Sequence, residues 1–295
     1  MKYENRQPTE GINVSKESPV KQFIVLSIGA LIIVGVLFLA FTFLGGWLAR
    51  FVPFSAEVSV MESLGIDFEE QFDSDSNDIE FLKRKRELND LASRIMEHMD
   101  VPDDMNITVH YVDDDVFNAF ATLGGQVFFY RGLIEQMPHE NALALVMAHE
   151  IAHELHRDPI SGLGGGVAAK VALASVFGAS SPVSPVLDIT QIIGSANFTR
   201  SMETRADATA IAAVNGLYGH IAGADSLFRL LAKQSGDADE TPSWSSTFLR
   251  THPLDQDRID AIQLAAEQNG WLMEGEATPL TNALAELGAT AAAID

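Results

Sequence analysis

Ala144-Leu145-Val146-Met147-Ala148-His149-Glu150-Ile151-Ala152-His153-Glu154-Leu155-His156 is the stretch from which the rest of the chain is read. It is rich in Ala, Leu and Met, carries neither proline nor glycine, and spaces its apolar and polar residues at helical intervals, so it is expected to form one helix. His149 and His153 stand four apart and fall on one face, about 6 Å apart along the axis, a separation two imidazoles can close onto one ion. Glu150 lies about 100° further round, where its carboxylate can reach a water beside that ion without binding the ion itself. His156 shares the histidine face but lies about 10.5 Å from His149 on a continuous helix, whereas ligands of one zinc ion sit only a few ångströms apart. It is assigned to packing or to a supporting contact.

The spacing His149-Glu150-Ile151-Ala152-His153 is the HExxH pattern of zinc peptidases. A surface helix with two solvated histidines would show the same letters, so a third ligand decides between the readings. Thr199 to Ala208 offers one on another helical stretch, where Glu203 and Asp207 share a face at i and i+4. Glu203 follows His153 by 50 residues, room for a crossover and return. Two histidines and one glutamate leave a fourth position for water, the composition of an open catalytic zinc rather than a closed structural one. Asp207 is placed to accept the second N–H of a ligand histidine and so fix its tautomer. His98, His110 and His139 have no constellation around them and are assigned surface or core roles.

Composition narrows the field. The chain has 295 residues, 47% of them hydrophobic, enough for one domain of about 200 residues with accessories. It has no cysteine, which excludes a disulfide framework, a thiol nucleophile, a Cys-rich zinc site and a lipid-modified N-terminal cysteine. With 41 acidic against 19 basic residues the formal charge is −22, a surface that repels phosphate backbones, so nucleic acid is not expected as a partner.

Residues 1–22 are polar and include Lys2, Arg6, Lys16 and Lys21; they are expected to form a cytoplasmic tail. Residues 23–48 (FIVLSIGALIIVGVLFLAFTFLGGWL) are 26 residues without a charge. As a helix they are about 39 Å long, enough to span a bilayer core of about 30 Å, and longer than the apolar core of a cleaved signal peptide. They are read as an uncleaved transmembrane signal anchor. The basic residues before the span place the N-terminus in the cytoplasm and everything after Arg50 on the periplasmic or extracytoplasmic side. Residues 49–78 are read as a juxtamembrane linker with a solvated acidic, Ser-rich end at 68–78, 79–270 as the metallopeptidase domain and 271–295 as an acidic, Ala-rich tail. Within the domain, Ile79 to Met99 shows helical spacing with Asn77 or Asp78 as its cap, and 107–112 alternates as a strand. Two short strands around Gly124-Gly125 make a hairpin. Residues 160–179 are expected as a buried helix rather than a second span, because Lys170 falls near their middle. The expected fold is α+β, mostly helical, with a small antiparallel sheet.

With these pieces in place, the sequence resembles the HtpX/CAAX-prenyl-endopeptidase family of gluzincin metallopeptidases, from roughly Ile79 to Ile262. The likeness rests on Asn118-Ala119-Phe120-Ala121 with Gly124-Gly125, on the HEIAH motif, on Arg200-x-x-Glu203-x-x-Ala206-Asp207, and on Thr251-His252-Pro253 with Arg258 six residues after His252. The resemblance implies His149, His153 and Glu203 as ligands of one zinc ion per chain and Glu150 as general base. It places Asp207, Arg200 and Arg258 around the ligands. For His252 it implies either stabilisation of the oxyanion or capping of the zinc in a latent state. It also implies that an extended peptide adds to a substrate edge around Asn118, Ala119, Val127 and Phe128. A single N-terminal anchor brings the likeness closest to small envelope-tethered quality-control members, which act on unfolded or misassembled proteins. Tyr218 and His220 are weaker oxyanion candidates, and Trp244 with Phe248 a candidate cover. The competing function is a metal-stabilised, chaperone-like binding module that no longer cuts; it would be expected to have lost Glu150 or a ligand, and this chain keeps both.

Overall fold

The computed structural model describes residues 18–49, 51–63, 78–162, 198–226, 229, 246–252 and 256–291. Helix α1 (Pro19–Ala49) is almost uniformly apolar and leaves its large side chains exposed, among them Phe23, Leu26, Leu31 and Ile33. By length and composition Pro19–Ala40 is long and apolar enough to cross a membrane. Helix α2 (Phe54–Ser63) follows after four residues. At the start of the stretch expected as a linker, Phe54 and Glu57 are both buried, and most of its acidic end at 68–78 lies outside the described residues. Charge composition alone gave no sign of this, because a buried carboxylate is visible only through its partners.

Helix α3 (Ile79–Met96) is capped by Asp78, whose carboxylate accepts from the Glu80 N–H. Phe81, Leu88, Leu91 and Ile95 form its buried stripe, while Leu82 points outward. Burial of each such side chain stabilises the fold by about 1.5–3 kcal/mol, and Leu88→Ala would open a cavity at a cost of about 2–5 kcal/mol. Strands β1 (Thr108–Val112), β2 (Ala119–Thr122) and β3 (Gln126–Tyr130) form one sheet in the order β1-β3-β2. The hairpin is antiparallel, with Ala119 opposite Phe129 and Thr122 opposite Gln126. Gly124 and Gly125 turn it with φ of 77° and 75°, values glycine adopts at no steric cost, and a Cβ at Gly125 would strike the Asn106 carbonyl. β1 runs parallel to β3, so the sheet is mixed rather than wholly antiparallel. The chain leaving β1 skips one sheet position to lay down β2, and the return strand fills the gap. Strand alternation reports faces, not order, and so does not reveal this.

Asn89 of α3 covers the outer side of β1, its amide donating to the Val109 carbonyl and its oxygen accepting from the Val109 N–H. Among the described residues β2 pairs only with β3 and is the sheet's open edge. The short helix α4 (Arg131–Ile134) leads to α5 (Glu140–Leu155), capped by the His139 imidazole, which accepts from the Ala142 N–H. Every residue of α5 from Glu140 to Glu154 is buried. A helix surrounded on all sides is a core element. It packs against β2 and, antiparallel, against α6 (Arg200–Tyr218), with Glu140 near Tyr218 at one end and His153 near Glu203 at the other. Helices α7 (Ser246–Thr251), α8 (Gln256–Asn269) and α9 (Asn282–Ala291) complete the described elements. Past 270, where an acidic tail is expected from the sequence, Leu284 and Leu287 are buried in the core cluster. Most of 160–179 and Trp244 lie outside the described residues.

Candidate metal centre

Helix α5 turns His149, Glu150 and His153 towards the N-terminal end of α6, where Thr199 caps the helix and Glu203 lies in the first turn. The His149 Nδ1 is 2.9 Å from Asp207 Oδ1, and the His153 Nδ1 is 2.9 Å from Asp158 Oδ2. Each carboxylate occupies one ring nitrogen and leaves Nε2 as the inward-facing atom. The two Nε2 atoms are 3.0 Å apart. Glu203 brings Oε1 to 3.4 Å from His153 Nε2 and Oε2 to 3.4 Å from His149 Nε2. His252, just after α7, sets its Nδ1 3.3 Å from His149 Nε2 and 3.2 Å from Glu203 Oε1. Ligand atoms of His149, His153, Glu203 and His252 all lie within 4.8 Å of one another, and all four residues are buried.

This donor set fits a small divalent cation. Bonds of about 2.0–2.1 Å in a tetrahedron put neighbouring donor atoms roughly 3.4 Å apart, close to the separations just given. The charge balance agrees. Burial pulls the His149 imidazole towards the neutral form, yet the Asp207 and Glu203 carboxylates outweigh it and raise its pKa to about 10. The field that draws a proton there draws a metal ion. Glu203 is pushed up by burial, but its three histidine neighbours hold it well below the usual carboxylate range. Asp207 is likewise opposed by burial and held down by Arg258 and His149, to about 2.

Arg258 reaches across from α8. Its Nε and Nη2 donate to Asp207 Oδ2 and Oδ1 at 2.7 and 2.8 Å, a bidentate pair, and its Nη1 is 2.8 Å from Glu203 Oε2. Glu150 has no hydrogen-bond partner on either carboxylate oxygen; His252 Nε2 lies 3.4 Å from its Oε1. Arg200 lies beside Glu203 and Arg258. It lines a cavity of about 530 Å³ with Phe198, Glu203, Thr204, Asp257 and Arg258.

Other residues fall elsewhere. Val127 and Phe128 are buried in β3, which is paired on both sides, so neither lies on an edge; Ala119 is on the open strand β2, and Asn118 precedes it. The Tyr218 hydroxyl donates to Glu140 at the far end of α5, and the His220 Nδ1 accepts from the Ala222 N–H, so neither approaches the cluster. Phe248 is buried 5.0 Å from the His252 ring. His156 bonds Thr209 and contributes no atom to the cluster. Asp158 is the residue that sequence reasoning missed. Its signal in the sequence is an Asp five places after His153, just before Pro159. Phe198, stacked 3.9 Å from the His153 ring, gave no signal at all.

The sequence profile of peptidase family M48 matches residues 82–266. The chain belongs to peptidase family M48. It is 26% identical over 195 residues to the beta-barrel assembly-enhancing protease of Escherichia coli, covering 61% of this chain and 38% of that protein. A Vibrio cholerae protein with a provisional form of that name is 31% identical over 172 residues, 55% of this chain and 35% of its own length. The mitochondrial metalloendopeptidase OMA1 of Schizosaccharomyces pombe is 25% identical over 177 residues, 59% of this chain and 49% of that one. The chain thus spans between about a third and a half of these relatives. M48 is a metallopeptidase family, the buried His/Glu cluster is one that could hold a metal ion, and the mostly helical fold with a small sheet agrees with the reading of the sequence.

Proposed function

We propose that this chain is a membrane-anchored zinc metalloendopeptidase that cuts unfolded or misassembled envelope proteins, with His149, His153 and Glu203 as ligands of one zinc ion. The observation that carries the reading is the pairing of a four-donor cluster with a buried Glu150 whose two oxygens accept no hydrogen bond. A carboxylate left open beside a metal-competent cluster is equipped to take a proton. Zinc, when bound, supplies a Lewis acid that acidifies water and polarises a carbonyl. Glu150 takes the proton of the attacking water and returns it to the departing amine, work typically worth 10²–10⁴-fold in rate. Asp207 and Asp158 fix the histidine tautomers, and Arg258 steadies Asp207 and Glu203 together.

His252 supports a latent state. Its Nδ1 stands among the ligand atoms, and four protein donors make a closed site. Activity then requires His252 to withdraw and leave the fourth position to water. Substrate enters as an extended strand along β2 at Asn118 and Ala119, whose main chain is the sheet's open edge and which packs on α5. Main-chain recognition selects unfolded segments rather than a fixed side-chain motif. The exposed apolar surface of α1 and the basic residues before it support a single-pass inner-membrane anchor with residues beyond 50 on the periplasmic side. The domain would run from 79 to at least 270, after the tail (1–22), span (23–48) and juxtamembrane stretch (49–78). The test is zinc content and cleavage of several unfolded proteins by the purified chain, beside Glu150→Gln and His252→Ala. Zinc-loaded protein that cuts nothing, with or without His252, refutes the peptidase.

A further inference from the structure

Helix α5 ends in an uncommon way. Arg157, two residues beyond its last turn, has φ 62°, and among the described residues it is the one non-glycine with positive φ. This is the helix-terminating position usually given to glycine, because a Cβ disfavours the left-handed conformation by roughly tenfold. The conformation has a consequence for the site. A continuing helix would carry Asp158 about 7.5 Å past His153 along the axis. The left-handed step at Arg157 turns the chain back instead, and Asp158 meets the His153 Nδ1 at 2.9 Å.

Arg157 is held by the segment that follows α1. Its Nη2 lies 2.5 Å from Glu57 Oε1 and donates to the Val52 carbonyl at 2.6 Å, and its guanidinium lies 5.5 Å from the centre of the Phe54 ring. The second Glu57 oxygen accepts from the Gly124 N–H at 3.1 Å, at the hairpin turn. Glu57 is only 3% exposed. A segment serving merely as a spacer has no use for a buried carboxylate, which costs free energy unless it is paired. Glu57 lies on α2, which starts five residues after Ala49, the last residue of α1. On the other side, Arg205 of α6 is 2.5 Å from Asp158 Oδ1, so the aspartate is clasped between α6 and the turn that α2 holds.

We infer that Glu57 is a positioning residue for the metal centre: by holding Arg157 in its left-handed conformation it sets Asp158 behind His153 and couples the exit of the apolar helix to the orientation of a ligand. This rests on the reading of His149, His153 and Glu203 as metal ligands. Glu57 itself is not among the residues of the metal-competent cluster.

The test uses the full chain in lipid nanodiscs. Zinc affinity is measured by competition with a chromogenic chelator, and amide hydrogen exchange of residues 155–161 is measured on the metal-free protein. Glu57→Ala is expected to bind zinc about tenfold more weakly, the cost of the left-handed step once its holder is gone, and to exchange faster over that turn. Glu57→Gln, which keeps the size and the acceptor for Gly124, is expected to lose severalfold. The double variant Glu57→Ala/Arg157→Gly should return towards wild-type affinity and protection, because glycine takes the conformation unaided. Wild-type affinity in both single variants overturns the inference. So does a double variant as weak as Glu57→Ala, since the loss would then not run through Arg157. A wild-type chain that takes up no zinc refutes the reading of the site instead, and exchange in the metal-free variants still decides the coupling.

Discussion

Glu140 and Glu150 are two buried carboxylates on the same helix, about 15 Å apart along its axis, with 5% and 0% of their surfaces exposed. Their surroundings are opposite. Glu140 accepts from Arg94 at 2.5 Å and from the Tyr218 hydroxyl at 2.8 Å, and its own N–H donates to the Thr278 carbonyl. Burial and the neighbouring Glu140 push the Tyr218 phenol well above its usual range, so it stays a donor. Glu150 accepts nothing. A buried polar group without a partner costs about 1–3 kcal/mol, more if charged, so the fold gains nothing from Glu150 as it stands. One end of α5 closes its polar network and holds helices together. The other leaves acceptors open beside four convergent ligand atoms. Saturation separates the structural carboxylate from the chemical one.

The sharpest way to break this comparison is to exchange the acids for amides. Glu150→Gln should keep its metal, read by zinc content, and lose cleavage of unfolded protein by at least 10²–10⁴-fold. Glu140→Gln should keep cleavage per folded molecule and lose about 1–2 kcal/mol of stability in urea, less than a fully buried pair would cost because Arg94 is partly exposed. If Glu140→Gln abolished turnover while Glu150→Gln did not, the assignment of roles would be reversed.

Asp207→Asn comes next: with the His149 Nδ1 partner weakened, zinc affinity should fall by about 10–100-fold, measured by chelator competition. His252→Ala should change less and in the opposite sense for activity, with cleavage rising severalfold if the histidine caps the centre. Unchanged cleavage with weaker metal binding would make it a plain ligand.

The smallest effect is a pH dependence at Glu57. Burial raises its pKa above 4.5, and the Gly124 N–H and the Arg157 charge only partly offset this. The folded state then holds the proton more tightly than the unfolded one. The associated stability is present below the unfolded pKa and lost as pH rises through the folded value. Relative to Glu57→Gln, the wild-type chain should therefore lose thermal stability as pH rises above the ordinary glutamate value. A difference that stayed flat or rose with pH would show that the Arg157 pair outweighs burial. On the expected result stability and site geometry part company, since the carboxylate costs stability as pH rises while its amide is the weaker zinc binder.

Much of this molecule is legible locally. The i, i+4 spacing of His149 with His153, and of Glu203 with Asp207, puts each pair on one face whatever the rest of the chain does. Asp78 as a cap, Gly124-Gly125 as a turn and the charge-free run from Phe23 to Leu48 are likewise short-range features, fixed by backbone sterics and by the cost of charge in hydrocarbon. Whether a polar residue is satisfied is not local. Glu140 finds Arg94 across 46 positions, Arg157 finds Val52 across 105, and His149 meets His252 across 103. The parallel pairing of β1 with β3 and the left-handed Arg157 beside Glu57 also arise only when distant segments pack. The sequence by itself determined the helix, the three metal-competent side chains most readily recognised and the apolar N-terminal helix, because periodicity and solvation act over a few residues. Only the tertiary structure decided which acid is closed and which is open, and which charges stand behind the histidines, because hydrogen-bond satisfaction depends on what packing brings within about 3 Å.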